Sequence, residues 1–200
     1  MMKFDIIGWG ALNIDRLCHV NEFAPSDGET FVNYETKSCG GSAANTIIGM
    51  AKLGLKTGYI GKVGNDSNGK MMQDYLESHN VETTHLIKGN GETGEVIGFV
   101  DSSGDRKLYV TPKINDTISN SEIKRDYIKN TKLLHLTSFV GLNPEDPSID
   151  TQMELLDELK DDVIVSFDPG MLYVNKGLDF MNKLISYTDI LLINETELLL

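Results

Sequence analysis

Residues Gly40-Gly41-Ser42-Ala43-Ala44-Asn45-Thr46 form a run of small side chains that leads directly into an apolar stretch stopped by Gly54. Two glycines remove the Cβ atoms that would hold a ligand off the backbone, and a helix starting just beyond presents unpaired N–H donors. Asn45, in the first turn of that helix, offers both a donor and an acceptor, which suits a ligand rich in hydroxyls. The same residues would also serve as a plain tight turn before a helix. Further along, Asp168-Pro169-Gly170 follows an apolar strand pattern and falls on the edge where parallel α/β sheets bind ligands. Asn194 and Glu197 have the Asx-x-x-Glu spacing of a reciprocal helix cap, a geometry that would also suit carboxylate coordination of magnesium through water.

The elements that must position these residues alternate strand-length apolar runs with stretches of helical period. Strands are expected at Phe4–Gly8, Thr57–Val63, Lys132–Ser138, Val163–Phe167 and Asp189–Ile193. Helices are expected at Ala43–Leu53, Asn68–Ser78, Ser121–Lys129, Ser148–Lys160 and Leu178–Ser186. In the second of these, Met71, Met72, Tyr75 and Leu76 make one apolar face. The alternation implies an α/β fold with a mainly parallel sheet covered by helices on both faces. Residues 17–38 and 94–111 break the rhythm with alternating, β-branched and aromatic character. Ser102-Ser103-Gly104-Asp105 reads as a hairpin turn between Val96–Asp101 and Arg106–Thr111. The two segments suggest a small separate β-sheet or a pair of surface hairpins.

Taken together, Gly-Gly-x-Ala-x-Asn at 40–45, Gly54, and Gly64 ten residues later resemble the first signature of the PfkB carbohydrate kinases, the ribokinase-like family. Ile47 departs from it, standing where that family usually has a small residue. Gly10-Ala11-Leu12-Asn13-Ile14-Asp15 is similar to the family's Gly-x-x-Asn-x-Asp, whose polar pair contacts sugar hydroxyls. Asn194-Glu195-Thr196-Glu197 is similar to its Asn-x-x-Glu, which organises magnesium and phosphate. The motifs occur in order over residues 3–200. The resemblance implies a ribokinase-like fold, with segments 17–38 and 94–111 as a β-sheet lid that closes over the sugar and can pair two copies into a homodimer. It also implies phosphoryl transfer from ATP with Mg²⁺. Asn13, Asp15, Gly40, Gly41 and Asn45 would bind substrate, Asn194 the cofactor and Glu197 the metal. The family's catalytic Gly-Ala-Gly-Asp motif lies in the portion that follows Leu200 in relatives. No catalytic base is therefore assigned in this sequence, and the reading from another class is a non-catalytic sugar-binding module.

Relatives acting on phosphorylated sugars or sugar acids often carry an arginine after the strand that ends near Asp168, where this sequence has Met171, Leu172 and Tyr173. Thr137 stands where bacterial ribokinases have a carboxylate. The resemblance thus implies a neutral sugar phosphorylated at a primary hydroxyl, with Thr137 speaking against ribose as the natural one. A nucleoside is the alternative, with Phe31, Tyr34, Phe99 and Tyr109 available to hold a base. A dehydrogenase is also considered, since Gly8-Trp9-Gly10 begins a dinucleotide fingerprint, but Asn13 replaces its third glycine and no helical period follows.

A net charge of −12 argues against binding nucleic-acid polymers or anionic membranes, which is driven by Lys and Arg. Cys18 and Cys39 are too few for a disulfide framework, and Met1-Met2-Lys3 leads into a strand pattern rather than a signal sequence, so a cytoplasmic protein is expected. The four histidines lack metal-ligand spacing.

Overall fold

The computed structural model describes residues 4–159 and 162–199. The chain opens with β1 (Phe4–Trp9) and passes straight into β2 (Asn13–Val20) and β3 (Val32–Gly40). It then runs through α1 (Ser42–Lys52), β4 (Thr57–Gly64) and α2 (Ser67–Ser78). Two short strands follow, β5 (Val81–Glu82) and β6 (Leu86–Gly89), then β7 (Gly94–Val100) and β8 (Arg106–Thr111). A 3₁₀ turn at Lys113–Thr117 leads to α3 (Arg125–Ile128), β9 (Thr131–Thr137), α4 (Pro147–Leu159) and β10 (Ile164–Asp168). Helices α5 (Gly170–Val174) and α6 (Leu178–Ile185), strand β11 (Ile190–Leu191) and helix α7 (Glu195–Leu198) complete it.

The core sheet has the order β11-β10-β9-β1-β4-β5, with β6 beside the second half of β4, and every pairing in it is parallel. Its central strands are buried on both faces, which is why β1 and β4 read as nearly continuous apolar runs rather than alternating ones. Ile7, Trp9, Leu134, Leu136, Val165 and Phe167 pack under Leu155, Leu156 and Leu159 of α4. On the other face Ile6, Tyr59 and Val63 pack under Ala43, Ala44 and Ile47 of α1 and Met72 and Leu76 of α2. The unusual Ile47 is accommodated by Gly8: a Cβ there would lie 2.4 Å from the Ile47 side chain, so helix and strand close together only because β1 has no side chain at that point.

A second sheet has the order β3-β2-β7-β8, antiparallel at its two outer pairings and parallel between β2 and β7. It is the lid expected from residues 17–38 and 94–111, but its first pair of strands reaches from Asn13 to Gly40. Asn13 and Asp15 are therefore part of the lid itself rather than neighbours of it. The Ser102–Asp105 turn is closed by the Asp101 carboxylate, which accepts from the Ser103 and Asp105 amides at 2.9 and 3.0 Å, with Gly104 at φ +90°.

Three sequence expectations change, and a fourth, the lack of a helix after Gly8-Trp9-Gly10, is met. The helix over Ser121–Lys129 is instead a 3₁₀ turn at Asn120–Glu122 and the single turn α3, because Ile123 is extended between them and buried in the core. The strand over Asp189–Ile193 shrinks to Ile190–Leu191, an exposed edge. Met71 is turned to solvent while Met72 and Leu76 are buried. No helix follows the Gly8-Trp9-Gly10 turn, where β2 begins, so the dinucleotide-fingerprint geometry is absent. The end of the Ser148–Lys160 helix, at Lys160, lies outside the described residues.

Candidate active site

The chain leaving β1 and β9, the start of α1, Leu172 of α5 and the inner face of the lid line a cavity of about 700 Å³. Strand alternation sorts the lid: Asn13, Asp15, Leu17 and His19 of β2 face the cavity, as do Val96 and Val100 of β7 and Arg106, Leu108 and Val110 of β8. Gly41, Ser42, Asn45, Thr137, Ser138 and Leu172 form the opposite wall. Four of the expected substrate residues, Asn13, Asp15, Gly41 and Asn45, are thus brought together from positions up to 32 apart in sequence.

Asp15 is half-buried, and among the described residues its carboxylate has no hydrogen-bond or ion-pair partner. Burial pushes its pKa above the ordinary value of 3.8. A desolvated carboxylate without a partner is costly, and hydroxyl groups donating to it would lower that cost. Gly40 lies directly beneath it: a Cβ there would sit 2.2 Å from Asp15 Oδ2. Gly41 has φ +120°, and a Cβ on it would meet the Ala11 carbonyl oxygen at 2.4 Å. The space freed by the glycine pair is therefore taken largely by the protein's own Ala11–Asp15 segment, which is how lid and loop come close enough to share a site. Asn45 projects, exposed, from the first turn of α1, whose N-cap Gly41 supplies no capping side chain.

Several contributors were not visible in the sequence. Ser42 Oγ donates to Asp168 Oδ2 at 2.9 Å, tying the start of α1 to the end of β10. Asn115, fully buried, hydrogen-bonds to both Leu12 and Asn13. Asp116 accepts from the Val140 and Gly141 amides at 3.2 and 2.8 Å, fixing the loop after β9. His19 stacks on Tyr34 at 4.2 Å between ring centroids, and Arg106 lies in the same cross-strand row, with no ion pair among the described residues. Only the Pro112-Lys113 turn chemistry hinted at the Asn115 segment, and nothing local connects it to residues a hundred positions earlier.

The aromatic residues expected to hold a base do not converge on the cavity. Phe99 and Tyr109 point to the other face of the lid, where they line a shallow pocket with Val20, Phe23 and Lys107. Phe31 is almost wholly exposed in the loop before β3, and Tyr34 alone joins the inner row. Asn194 and Glu197 stand apart from the cavity, beyond β11 at the same sheet edge. They form the reciprocal cap: Asn194 Oδ1 accepts from Glu197 N at 3.0 Å and Glu197 Oε2 from Asn194 N at 3.1 Å.

The arrangement, a polar junction between a parallel sheet and a four-stranded lid, has direct counterparts. The pfkB family carbohydrate kinase model matches residues 3–200. The chain belongs to the PfkB family. A sugar kinase of Archaeoglobus fulgidus, described as uncharacterized, is 40% identical over 151 residues, covering 76% of this chain and 59% of that protein. A 5-dehydro-2-deoxygluconokinase of Listeria innocua is 32% identical over 179 residues, covering 83% and 51%. A sugar kinase of Pyrococcus horikoshii solved in complex with ATP superposes with a TM-score of 0.78 at 25% identity, covering 93% of this chain and 62% of that one. The chain thus spans between half and two thirds of the length of these PfkB proteins.

Proposed function

We propose that the protein acts as an ATP-dependent kinase that phosphorylates a primary hydroxyl of a neutral sugar. The observation that carries this is the pairing of Asp15 with Asn13 on one cavity wall and Asn45 on the other. A carboxylate accepts from hydroxyls while the amides donate to and accept from them, so adjacent hydroxyls of one ring are satisfied together. Phosphoryl transfer asks a protein chiefly to position the acceptor, exclude water and neutralise charge, and a lid hinged at the acceptor residues suits the first two. Family structures bind ATP, and Asn194 and Glu197 are the residues we assign to the nucleotide and magnesium. Among the described residues Glu197 Oε1 has no partner while Oε2 is held by the cap, so a hard, hydrated cation finds a fixed carboxylate oxygen there. A bound magnesium ion would neutralise phosphate charge.

One observation favours a second reading. Arg106, without an ion pair among the described residues and at the outer end of the lid's inner face, would suit an acceptor with an anionic tail, and the Listeria relative is named for a gluconate derivative. The nucleoside reading has less support, since Phe99 and Tyr109 face away. The lid's exposed Leu108, Tyr109 and Val110 are consistent with pairing of two copies, and no helix among the described residues is long and apolar enough to cross a membrane, as suits a cytoplasmic enzyme. ADP release by the intact protein, with MgATP and a panel of neutral sugars, nucleosides, sugar acids and sugar phosphates, tests the assignment. Neutral sugars should give the highest kcat/KM. Sugar acids or phosphates ranking first would replace the neutral reading, and sugar binding without turnover would support a non-catalytic binding module.

A further inference from the structure

We propose that Asn115 is a positioning residue for the acceptor, setting which end of the Asn13 side-chain amide faces the cavity; this rests on the reading of Asn13 as a substrate residue. The chain of constraint begins at a group that cannot turn over. Leu12 N donates to Asn115 Oδ1 at 2.9 Å, and Asn115 Nδ2 donates back to the Leu12 carbonyl at 3.0 Å. A backbone N–H only donates and a carbonyl only accepts, so this two-point contact allows the Asn115 amide one orientation. Its second Nδ2 hydrogen is then aimed at Asn13, whose Oδ1 accepts it at 2.8 Å. With Oδ1 occupied, Asn13 turns Nδ2 away, and among the described residues that nitrogen has no partner; Asn13 lines the cavity. The acceptor therefore meets an N–H donor from Asn13 two residues from the carboxylate of Asp15. A sugar must present a hydroxyl oxygen to the first and a hydroxyl hydrogen to the second.

Asn115 is itself held firmly in place. It is fully buried, its carbonyl accepts from Ser148 Oγ at 2.9 Å, and Ser148 Oγ in turn accepts from Ile118 N at 2.8 Å. Gly94, the register partner of Asn13, is bare: a Cβ there would lie 2.0 Å from Asn115 Nδ2 and 2.5 Å from Asn13 Oδ1. Asn13 itself sits at the first position of the lid, so the polarity of the site is fixed from the core, at the hinge, and persists whatever the rest of the lid does.

Asn115→Asp tests this. The substitution keeps an acceptor for Leu12 N but replaces the donor with a second oxygen, against which Asn13 must rotate to donate Nδ2 and show Oδ1 to the cavity. In the intact ¹⁵N-labelled protein, the Asn13 side-chain NH₂ signals are assigned by their loss in Asn13→Ala. Their exchange with water should slow by about tenfold or more in Asn115→Asp, the effect of one hydrogen bond of ordinary strength. Gly94→Ala, which separates the two amides from the opposite side, is the second variant if Asn115→Asp does not give a folded spectrum; there the Asn13 signals should broaden or split between two orientations. Unchanged Asn13 signals in a folded variant would overturn the proposal. Kinetics give the functional arm. For those of D-ribose, D-fructose and D-glucose that the wild type turns over, Asn115→Asp should raise the acceptor KM about tenfold or more, with the MgATP KM unchanged. In an Asn13→Ala background the same substitution should leave the acceptor KM unchanged, and an equal rise there would show a merely structural role. Turnover of none of these sugars would count against the kinase assignment and leave the amide-exchange result to decide the role of Asn115.

Discussion

Asp15, on the lid strand β2 over the edge of the parallel sheet, and Glu197, in α7 beyond the same edge, are both carboxylates, and the protein treats them oppositely. Glu197 is the more buried, yet its Oε2 accepts the Asn194 N–H and its own N–H is capped in return. Asp15 is held over Gly40 with its oxygens unpartnered among the described residues, raised in pKa by burial. The contrast teaches that sequence spacing alone does not separate a site from a cap. What separates them is whether the local chain satisfies the group or leaves it for something else.

Replacing each carboxylate should produce the largest divergence. Asp15→Ala is expected to lower kcat/KM for the acceptor by ~10²-fold or more, from about 1.5–3 kcal/mol for each of two charged hydrogen bonds, while the melting temperature hardly moves. A large fall in melting temperature with unchanged kinetics would place Asp15 with the structural carboxylates. Acidification sharpens the same point. The raised pKa of Asp15 means that it takes up a proton at a higher pH than an ordinary aspartate, so the acceptor KM should climb as pH falls through that value, and Asp15→Asn should flatten the profile. The sign for stability is opposite: burial of the charge is a cost present above the raised pKa and relieved below it, so Asp15→Asn should stabilise the protein slightly at neutral pH and have no effect below about pH 3.8.

At the other end, Asn194→Ala should cost about 1 kcal/mol of stability through loss of the cap, read by chemical denaturation. If the cap also holds Glu197 for magnesium, the MgATP KM rises while the acceptor KM stays put; an unchanged MgATP KM would leave the motif as a cap alone. The smallest expected effect compares the two sheets without any substitution. Amides of β8, whose side chains are all exposed, should exchange faster than those of β10 in the absence of sugar and gain protection with it. Equal protection in the free protein would remove the mobile-lid reading.

Much of this was legible from sequence because the information was local. The parallel core announces itself in runs such as 57–63, and the Gly40–Asn45 loop in its composition. The extent of the lid was underestimated because Asn13 and Asp15 look like turn residues until β3 and β7 pair on either side of them. The facing of Phe99 and Tyr109 depends on strand register, which a hairpin pattern leaves open by one residue. Asn115 was invisible because its function is a contact across 102 positions.

The parallel pairing of β2 with β7 has a consequence for how the molecule is made. Those strands are joined through β3, α1, β4, α2, β5 and β6, so the middle of the lid cannot zip up as a local hairpin. Its pairing requires the intervening chain to bring both passes to the same edge. Closing so long a loop costs chain entropy, so its contacts are expected late on the folding path. Substitutions along β2 and β7 should therefore speed unfolding more than they slow folding. The part of this protein proposed to meet the sugar is the part expected to be completed last as the chain folds.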